Sequence, residues 1–370
     1  MAALPDPNAS APRLPPPWLV APILRVRDAL RSARRRAGPP VLHVMETTFG
    51  LIEATSLAVA AELGIADVLD RPATAPEIAA RTGADADAVA RLLRFLATRG
   101  FFRQDRAGRW RNTAASELLR VDHPDSMRSW VRFQGAPWHL AIWAHAPHSF
   151  RTGASASDAA TGLPFFDWLT AHPDAQATFD DAMAETSRLV GPLLAHAYDF
   201  ARVSKVCDVG GGNGSLLGYV LAAHAHLRGV VLDLPAVVSH AAETLERFGV
   251  RDRCETVGGS FFDEVPPGCD LYMLKAILHD WDDESCVRIL ANIRKAMSPG
   301  ARVLVVDQVV PANGVDHPAL AVDLLMLVLT GAGRERTAEE FAALFGRAGF
   351  RRERTLPIVT VGVQELVAAG

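Results

Sequence analysis

Cysteine is scarce in this chain of 370 residues, which contains only Cys207, Cys254, Cys269 and Cys286. Their spacing shows no C-x-x-C pair and no other metal-ligand pattern, which argues against a zinc site and against a disulfide-rich extracellular fold. The N-terminus also lacks the basic region, apolar core and small-residue cleavage site of a secretory signal. We therefore expect a cytoplasmic protein with reduced thiols and no bound metal.

Long apolar runs and an excess of one charge are also missing. The apolar stretch 324–329, one of the longest, falls far short of the roughly 18 residues that a membrane helix needs. The 38 basic and 42 acidic residues give a net charge of -4, so no overall field attracts nucleic acid or anionic lipid. We expect a globular protein of two domains, or of one large α/β unit with an appendage, that acts on small molecules and binds neither nucleic acid nor a membrane.

Prolines crowd the beginning of the chain, so residues 1–38 are predicted to form a mobile leader. From residue 39 to about 125 the apolar spacing is helical. Thr74 is a plausible cap of one helix, Gly83 ends that helix, and a second helix and a short hairpin follow. This order is the outline of a winged-helix domain.

A winged helix suggests DNA binding, and a ligand-responsive regulator is therefore one alternative for the whole protein. Asp85 and Asp87 stand at the start of the helix that would enter the groove, where basic residues are needed to neutralise phosphates. We therefore predict that residues 39–125 have a structural role.

The periodicity changes in the remainder, residues 126–370. Several helices rich in Trp, His and Phe are expected up to about residue 200, followed by apolar strands that alternate with helices. The expected strands lie at 205–209, 229–232, 270–275 and 301–306, with a closing hairpin at 352–359 and 361–367. This alternation predicts an α/β fold with a Rossmann-like parallel sheet.

A glycine turn follows the first of these strands. Gly210, Gly212 and Gly214 have the spacing G-x-G-x-G, and Ser215 occupies the position of the third glycine in a dinucleotide fingerprint. Asp233 ends the next strand, where a carboxylate can accept hydrogen bonds from ribose hydroxyls. The combination favours S-adenosylmethionine as the ligand over a dinucleotide.

Five segments in the second part of the chain resemble the S-adenosylmethionine-dependent O-methyltransferases of plant phenolics and of bacterial polyketide tailoring. Their order and spacing also match, and the resemblance covers about residues 42–355. The segments are Asp208–Gly214, Asp233–Pro235, Gly259–Phe262, Lys275–Trp281 and Gly333–Thr337. The resemblance implies a class I methyltransferase sheet, with the winged-helix part serving as the dimerisation domain of a homodimer.

The resemblance also implies roles for individual residues. The catalytic base is His279, supported by Asp307 and Glu335; the family usually has Glu at the position of Asp307. The implied cofactor-binding residues are Asp208, Gly210, Gly212, Asp233, Leu234, Ser260, Phe261 and Lys275, with Ser260 replacing the usual Asp. The implied substrate contacts are Met183, Asp280, Trp281 and Met326.

The resemblance implies transfer of a methyl group from S-adenosylmethionine to a hydroxyl of an aromatic small molecule, with S-adenosylhomocysteine as the product and bacterial secondary metabolism as the setting. Family members have also diverged to decarboxylate or hydroxylate polyketides, or to methylate nitrogen. The presence of His279 together with Glu335 favours transfer to oxygen.

Overall fold

The structure is a computed structural model that describes residues 26, 30, 33, 37–312, 316–358 and 361–369. The leader 1–38 lies outside the described residues except for five positions. Two compact units are present. One contains the described residues within Arg13–Leu140 together with Ala177–Glu185, and the other contains those within Ala141–Gln176 and Thr186–Gly370. The domain boundary at residue 125 stays a prediction.

The elements up to residue 200 are almost all helices. In chain order they are α1 (Pro40–Thr48), α2 (Gly50–Glu62), a 3₁₀ turn (Asp67–Leu69), α3 (Ala75–Thr82), α4 (Ala86–Ala97), β1 (Arg103–Gln104), β2 (Trp110–Arg111), α5 (Ala114–Glu117), α6 (Arg128–Gly135), α7 (Pro137–Ala144), α8 (Ala146–Thr152), α9 (Ala156–Thr161), α10 (Phe165–Ala171) and α11 (Pro173–Ala197).

The predicted helix–turn–helix and hairpin are confirmed as α3, α4, β1 and β2. Thr74 and Glu77 form a capping box at the start of α3, and Gly83 ends the helix with a φ of +69°. Asp85 caps α4 through a 2.8 Å hydrogen bond from the amide of Ala88. Asp85, whose charge argues against DNA binding, therefore serves as the N-cap of α4.

Helices α1 and α2 expose an apolar face. Together they form the segment Pro40–Glu62, which is long and apolar enough to cross a membrane by length and composition, with 17% of the apolar window buried. Polar residues interrupt this segment, so it contains no long uninterrupted apolar run that would mark it in the sequence. Its exposed apolar side chains are Val41, Leu42, Val44, Met45, Phe49, Leu51, Ile52 and Val59. A face of this kind marks an interaction surface.

The elements after residue 200 alternate between strands and helices. They are β3 (Lys205–Val209), α12 (Ser215–Ala223), β4 (Arg228–Asp233), α13 (Pro235–Val238), α14 (Ala241–Arg247), a 3₁₀ turn (Arg251–Arg253), β5 (Cys254–Gly258), β6 (Leu271–Lys275), a 3₁₀ turn (Leu278–Asp280), α15 (Asp283–Ala296), β7 (Arg302–Asp307), β8 (Val309–Val310), α16 (Pro318–Leu329), β9 (Arg336–Thr337), α17 (Ala338–Arg347), β10 (Phe350–Ile358) and β11 (Val361–Ala368).

Seven of these strands form one sheet in the order β10-β11-β7-β6-β3-β4-β5. Strands β3 to β7 are parallel, and the hairpin β10–β11 joins β7 antiparallel. The predicted parallel strands and the closing hairpin are confirmed. Strand β5 was not predicted, because only Cys254 of its five residues is buried and it has no continuous apolar run.

The order of the strands positions the site. The chain reverses direction across the sheet at β3, which lies between β4 and β6. In such sheets ligands bind beyond the carboxyl ends of the strands at this switch point. Strands β3, β4, β6 and β7 end there and lead into the glycine turn, Asp233, Lys275 and Asp307 respectively.

Two helical glycines of the second unit provide a matched test of packing. A Cβ atom at Gly218 in α12 would lie 2.5 Å from Cδ2 of Phe248, whereas nothing lies within 4 Å of one at Gly346 in α17. We expect Gly218→Ala to lower the free energy of unfolding by about 1–3 kcal/mol, and Gly346→Ala to raise it by about 0.5–1 kcal/mol. Urea denaturation measures both changes, and an equal loss in the two variants would contradict the packing.

Candidate active site

The glycine turn after β3 needs glycine for two different reasons. Gly210, Gly212 and Gly214 have φ values of +71°, +59° and +77°, which side chains rarely adopt. A Cβ atom at Gly210 would lie 2.5 Å from Cδ1 of Ile277, and one at Gly211 would lie 2.9 Å from the carboxyl group of Asp208. The turn therefore packs its backbone against both neighbours, whereas nothing lies within 4 Å of a Cβ atom at Gly212.

Two acidic residues flank this turn. Asp233 accepts hydrogen bonds from the amides of Gly212 (2.8 Å) and Leu234 (2.7 Å), one on each oxygen. Burial raises the pKa of Asp233, and these two donors oppose the rise. Asp208 is 1% exposed, and its Oδ2 atom has no hydrogen-bond partner among the described residues. Burial raises the pKa of Asp208 to about 7, while the charge of Lys275 opposes the rise.

Lys275 lies at the end of β6. Its Nζ atom donates a 2.9 Å hydrogen bond to Oγ1 of Thr186, a residue that the sequence analysis did not identify. Burial lowers the pKa of Lys275 to about 8, against the attraction of Asp208, Asp307 and Asp280. The lysine therefore places a positive charge among the acids at this edge of the sheet.

The other predicted cofactor-binding residues lie around the turn. Phe261 Cε1 lies 3.4 Å from the position of a Cβ atom at Gly210, and the ring meets Trp281 edge to face with 6.1 Å between centroids. Ser260 Oγ accepts a 3.2 Å hydrogen bond from the amide of Phe262, so its proton can still be donated. Leu234 is exposed. The ligand roles of these residues stay predictions.

These residues fit S-adenosylmethionine. The unpartnered, buried oxygen of Asp208 can accept hydrogen bonds from a ligand. Each oxygen of Asp233 can accept one more, which suits the two hydroxyls of a ribose. The N-terminus of α12 follows directly and favours a carboxylate. Within the described ranges no group of three or more His, Cys, Asp or Glu side chains could hold a metal ion.

His279 is the centre of the second half of the site. It lies in the 3₁₀ turn after β6, and its Nδ1 atom is 2.7 Å from Oε1 of Glu335. Glu335 has a fully buried side chain, and its amide donates a 2.9 Å hydrogen bond to Oδ1 of Asp323 on α16. The carboxylate therefore fixes the proton on Nδ1 and leaves Nε2 to interact with a ligand.

Carboxylates surround the imidazole and set its charge. Burial disfavours a charged His279, but Asp280, Glu335 and Asp307 outweigh burial and raise its pKa to about 10. Nε2 lies 3.6 Å from Oδ1 of Asp280. Burial raises the pKa of Asp280 to about 7, and the positive charge of His279 opposes this rise.

Asp307, the residue that departs from the family pattern, ends β7 and is 2% exposed. Neither of its carboxylate oxygens has a hydrogen-bond partner among the residues that the structure describes. Burial raises its pKa to about 6, and His279 opposes the rise. Glu335 therefore orients the imidazole by a hydrogen bond, whereas Asp307 acts on it through charge alone.

The predicted substrate contacts are distributed over both units. Asp280 and Trp281 follow His279 directly, and Met326 is buried on α16 in the same unit. Met183 is half-buried on α11, in the part of that helix that belongs to the first unit. The substrate roles of all four residues stay predictions.

Some residues that shape this site were not predicted from the sequence. Arg336 was noted only as part of a motif, yet its guanidinium donates to the carbonyls of Leu278 and Trp281 on either side of the histidine. Ala276 has a φ of +54°, unusual for a residue with a side chain. The sequence does not mark Thr186, Asp323 or Ala276 as site residues. Thr186 and Asp323 act through tertiary contacts, and Ala276 through its backbone geometry.

Comparison with known proteins assigns both parts of the chain. Residues 45–122 match an O-methyltransferase dimerisation domain, and residues 143–351 match an O-methyltransferase domain. The chain is 41% identical to the mitomycin biosynthesis 6-O-methyltransferase of Streptomyces lavendulae, covering 88% of this chain and 93% of that protein. It is 42% identical to a phenazine O-methyltransferase of Lysobacter antibioticus, covering 88% and 96%.

Solved structures agree. The O-methyltransferase from neocarzinostatin biosynthesis, in complex with S-adenosylmethionine and 2-hydroxy-5-methyl naphthoic acid, has a TM-score of 0.72 at 37% identity and covers 85% of this chain and 95% of its own. Some relatives act on nitrogen: the phenazine-1-carboxylate N-methyltransferase of Pseudomonas aeruginosa is 34% identical over 85% of this chain and 93% of that protein. This chain belongs to the family of S-adenosylmethionine-dependent O-methyltransferases with an N-terminal dimerisation domain, and it is such an enzyme.

Proposed function

We propose that this enzyme methylates a hydroxyl group on an aromatic small molecule of bacterial secondary metabolism, with His279 as the general base. The observation that carries the proposal is the 2.7 Å contact between Nδ1 of His279 and Oε1 of Glu335. It fixes the tautomer whose Nε2 atom can accept a proton. Three of the relatives named above support an aromatic acceptor: an O-methyltransferase of mitomycin biosynthesis, a phenazine O-methyltransferase and an O-methyltransferase in complex with a naphthoic acid.

A base is needed because the acceptor loses its proton as its oxygen attacks. A phenol with a pKa of about 10 is almost entirely protonated at neutral pH. In the fraction of the enzyme whose imidazole is unprotonated, Nε2 of His279 takes this proton, and Glu335 stabilises the resulting imidazolium. Base assistance of this kind contributes about 10² to 10⁴-fold in rate, and correct positioning of the reactants contributes more.

S-adenosylmethionine supplies the methyl group when bound and leaves as S-adenosylhomocysteine. The residues that hold it are those at the carboxyl ends of β3, β4 and β6: the glycine turn with Asp208, then Asp233, then Lys275. Asp208 and Asp233 offer acceptors for its amino group and ribose. Phe261, beside Gly210, would pack against the purine.

The acceptor is identified by product mass. Hydroxynaphthoic acids, hydroxyphenazines and aminohydroxybenzoates are incubated with the protein and S-adenosylmethionine, and each mixture is examined for a mass gain of one methyl group. NMR of the product then distinguishes an O-methyl from an N-methyl group. A loss of carbon dioxide or a gain of oxygen without methylation would contradict the proposal.

The base assignment predicts that His279→Gln lowers kcat by about 10² to 10⁴-fold while S-adenosylhomocysteine still binds with the parent affinity. Glutamine keeps a donor near Glu335 but cannot accept a proton. Single-turnover methyl transfer and calorimetric titration measure the two quantities. Single-turnover methylation at the parent rate would refute the role of His279.

The three carboxylates around His279 predict a pH dependence. A raised pKa keeps the imidazole protonated at neutral pH, so kcat/KM is expected to rise as the pH increases toward about 10. Asp280→Asn removes one negative charge, which destabilises the imidazolium and lowers the pKa of His279. In Asp280→Asn the rise of kcat/KM with pH should therefore occur at lower pH than in the parent.

Asp282→Asn is the matched control, because it makes the same charge change two residues further on. Asp282 caps α15 by accepting a 2.7 Å hydrogen bond from the amide of Ser285, and asparagine caps equally well. Its profile should coincide with that of the parent. A limb that shifts equally in both variants, or moves upward in Asp280→Asn, would contradict the electrostatic assignment.

The exposed apolar face of α1 and α2 supports a homodimer as the functional state. The dimerisation-domain match begins at residue 45, inside this segment. A second copy of the chain would remove its apolar side chains from water, which is the main source of free energy in such interfaces.

The four cysteines are free thiols and buried, which agrees with a reducing cytoplasm as the site of action.

The homodimer predicts that Leu51→Asp, at a side chain that is 65% exposed, yields monomers. Val121→Asp is the control, because Val121 is also exposed but lies outside α1 and α2. Light scattering after size-exclusion chromatography gives the two masses. A parental mass for Leu51→Asp, or sedimentation of the parent protein with anionic lipid vesicles, would contradict a face that is covered by a second copy.

A further inference from the structure

Arg336 is a buried arginine that the proposed mechanism does not use. It begins β9 and is 1% exposed. Its Nη1 donates a 2.9 Å hydrogen bond to the carbonyl of Leu278, and its Nη2 donates one of 2.9 Å to the carbonyl of Trp281. Its Nε and Nη2 also donate to Oδ1 of Asp283, at 3.0 and 2.8 Å. Burial of a charge is costly, so a guanidinium at this place needs this full set of partners.

The two carbonyls that Arg336 binds enclose the base. Leu278 precedes His279 in the chain, and Trp281 follows it by two positions. The carbonyl of His279 itself accepts a 2.8 Å hydrogen bond from the amide of Arg334. A Cβ atom at Gly333 would lie 2.5 Å from the same carbonyl oxygen. Residues of the segment 333–336 therefore donate hydrogen bonds to the backbone carbonyls of residues 278, 279 and 281, in and next to the turn that carries His279.

The same segment carries the acid. Glu335, which contacts Nδ1 of His279, directly precedes Arg336. Strand β9 is in turn paired with β8, where Arg336 faces Val309, two residues after Asp307. The distance between the acid and the base thus depends on how the backbone at residue 336 is tied to the turn at 278–281.

We propose that Arg336 is a positioning residue that sets the hydrogen bond between Glu335 and His279 by fastening the base-bearing turn to the segment 333–336, which carries the acid. The inference rests on the proposed function, in which His279 is the base. Catalytic groups must be held within about 0.5 Å of their productive geometry. An arginine suits this task because its planar fork reaches two carbonyls and a carboxylate at once, which the single ammonium of a lysine cannot.

The test compares Arg336→Met with Arg347→Met. Methionine keeps most of the length of the side chain but donates no hydrogen bond. Arg347 is exposed on α17 and lies 3.6 Å from Asp283, the carboxylate that Arg336 also binds, so the control makes the same charge change beside the same acid. Among the described residues, Arg347 donates a hydrogen bond to Glu284 and none to the turn at 278–281.

The first readout is spectroscopic and needs no acceptor. In protein labelled with ¹⁵N-histidine and saturated with S-adenosylhomocysteine, the Nδ1 proton of His279 should give a low-field resonance, assigned by its loss in His279→Gln. We expect Arg336→Met to lose or strongly shift this resonance and Arg347→Met to keep it. Thermal unfolding and calorimetric affinity for S-adenosylhomocysteine show whether each variant is folded.

The second readout is kinetic and uses the best acceptor of the mass screen. We expect Arg336→Met to lower kcat by about 100-fold with little change in the KM values, since a small displacement of a catalytic group has a cost of this order. Arg336→Lys should recover part of the loss. If Arg336 acts through His279, the double variant with His279→Gln should be no slower than His279→Gln alone.

Each outcome decides between the two proposals. A folded Arg336→Met protein that keeps the low-field resonance and the parental kcat overturns the role of Arg336. Additive losses in the double variant also overturn it. If His279→Gln retains the parental rate, the proposed base fails instead, while the resonance still reports on the contact with Glu335. If Arg336→Met does not fold, Arg336→Lys and Asp283→Asn replace it, and an unchanged resonance and kcat in both refute the inference.

Discussion

Burial of opposite charges at the carboxyl edge of the sheet is the constraint on which this active site depends. Asp208, Lys275, His279, Asp307 and Glu335 all meet there with little access to water. A single buried charge would be strongly unfavourable, so each group is tolerated only because an opposite charge or a set of donors faces it. The parallel strands make this arrangement possible, because their ends bring together residues that are far apart in the chain.

The residues around the glycine turn and the residues around His279 compensate for buried charge in different ways. Around the glycine turn, two backbone amides donate hydrogen bonds to the carboxylate of Asp233, while one oxygen of Asp208 has no partner among the described residues. Around His279, side-chain carboxylates supply the compensation, and their sum favours the imidazolium. A ligand that brings donors suits the first half, and an acceptor that brings an acidic proton to a base suits the second.

The sequence predicted the parts of this structure that have a local signature. The buried strands β3, β4, β6 and β7 are runs of apolar and β-branched residues, and the glycine turn and the cap at Thr74 have characteristic residue types. Edge strand β5 was missed because it is mostly half-exposed. The pairing of Glu335 with His279 followed from the family motif, not from periodicity, because the two residues are 56 positions apart.

Arg336 shows why part of the site is invisible to such reasoning. Its partners are mainly backbone carbonyls, which every residue has, so no residue type at 278 or 281 marks the contact. An arginine between Glu335 and Thr337 is indistinguishable from a surface charge until the chain is folded and the side chain is found buried. The positive φ of Ala276 is hidden in the same way, because alanine gives no sign of left-handed backbone.

Asp307 places a limit on how rigid the site needs to be. The carboxylate of Asp307 makes no hydrogen bond to the imidazole of His279, and it affects the imidazole through its charge. Charge interactions weaken slowly with distance, whereas hydrogen bonds are lost within a few tenths of an ångström. One acid must therefore be held accurately and the other need only be near. The segment that carries Glu335 is fastened to the base-bearing turn by several hydrogen bonds, whereas the carboxylate of Asp307 makes none to His279.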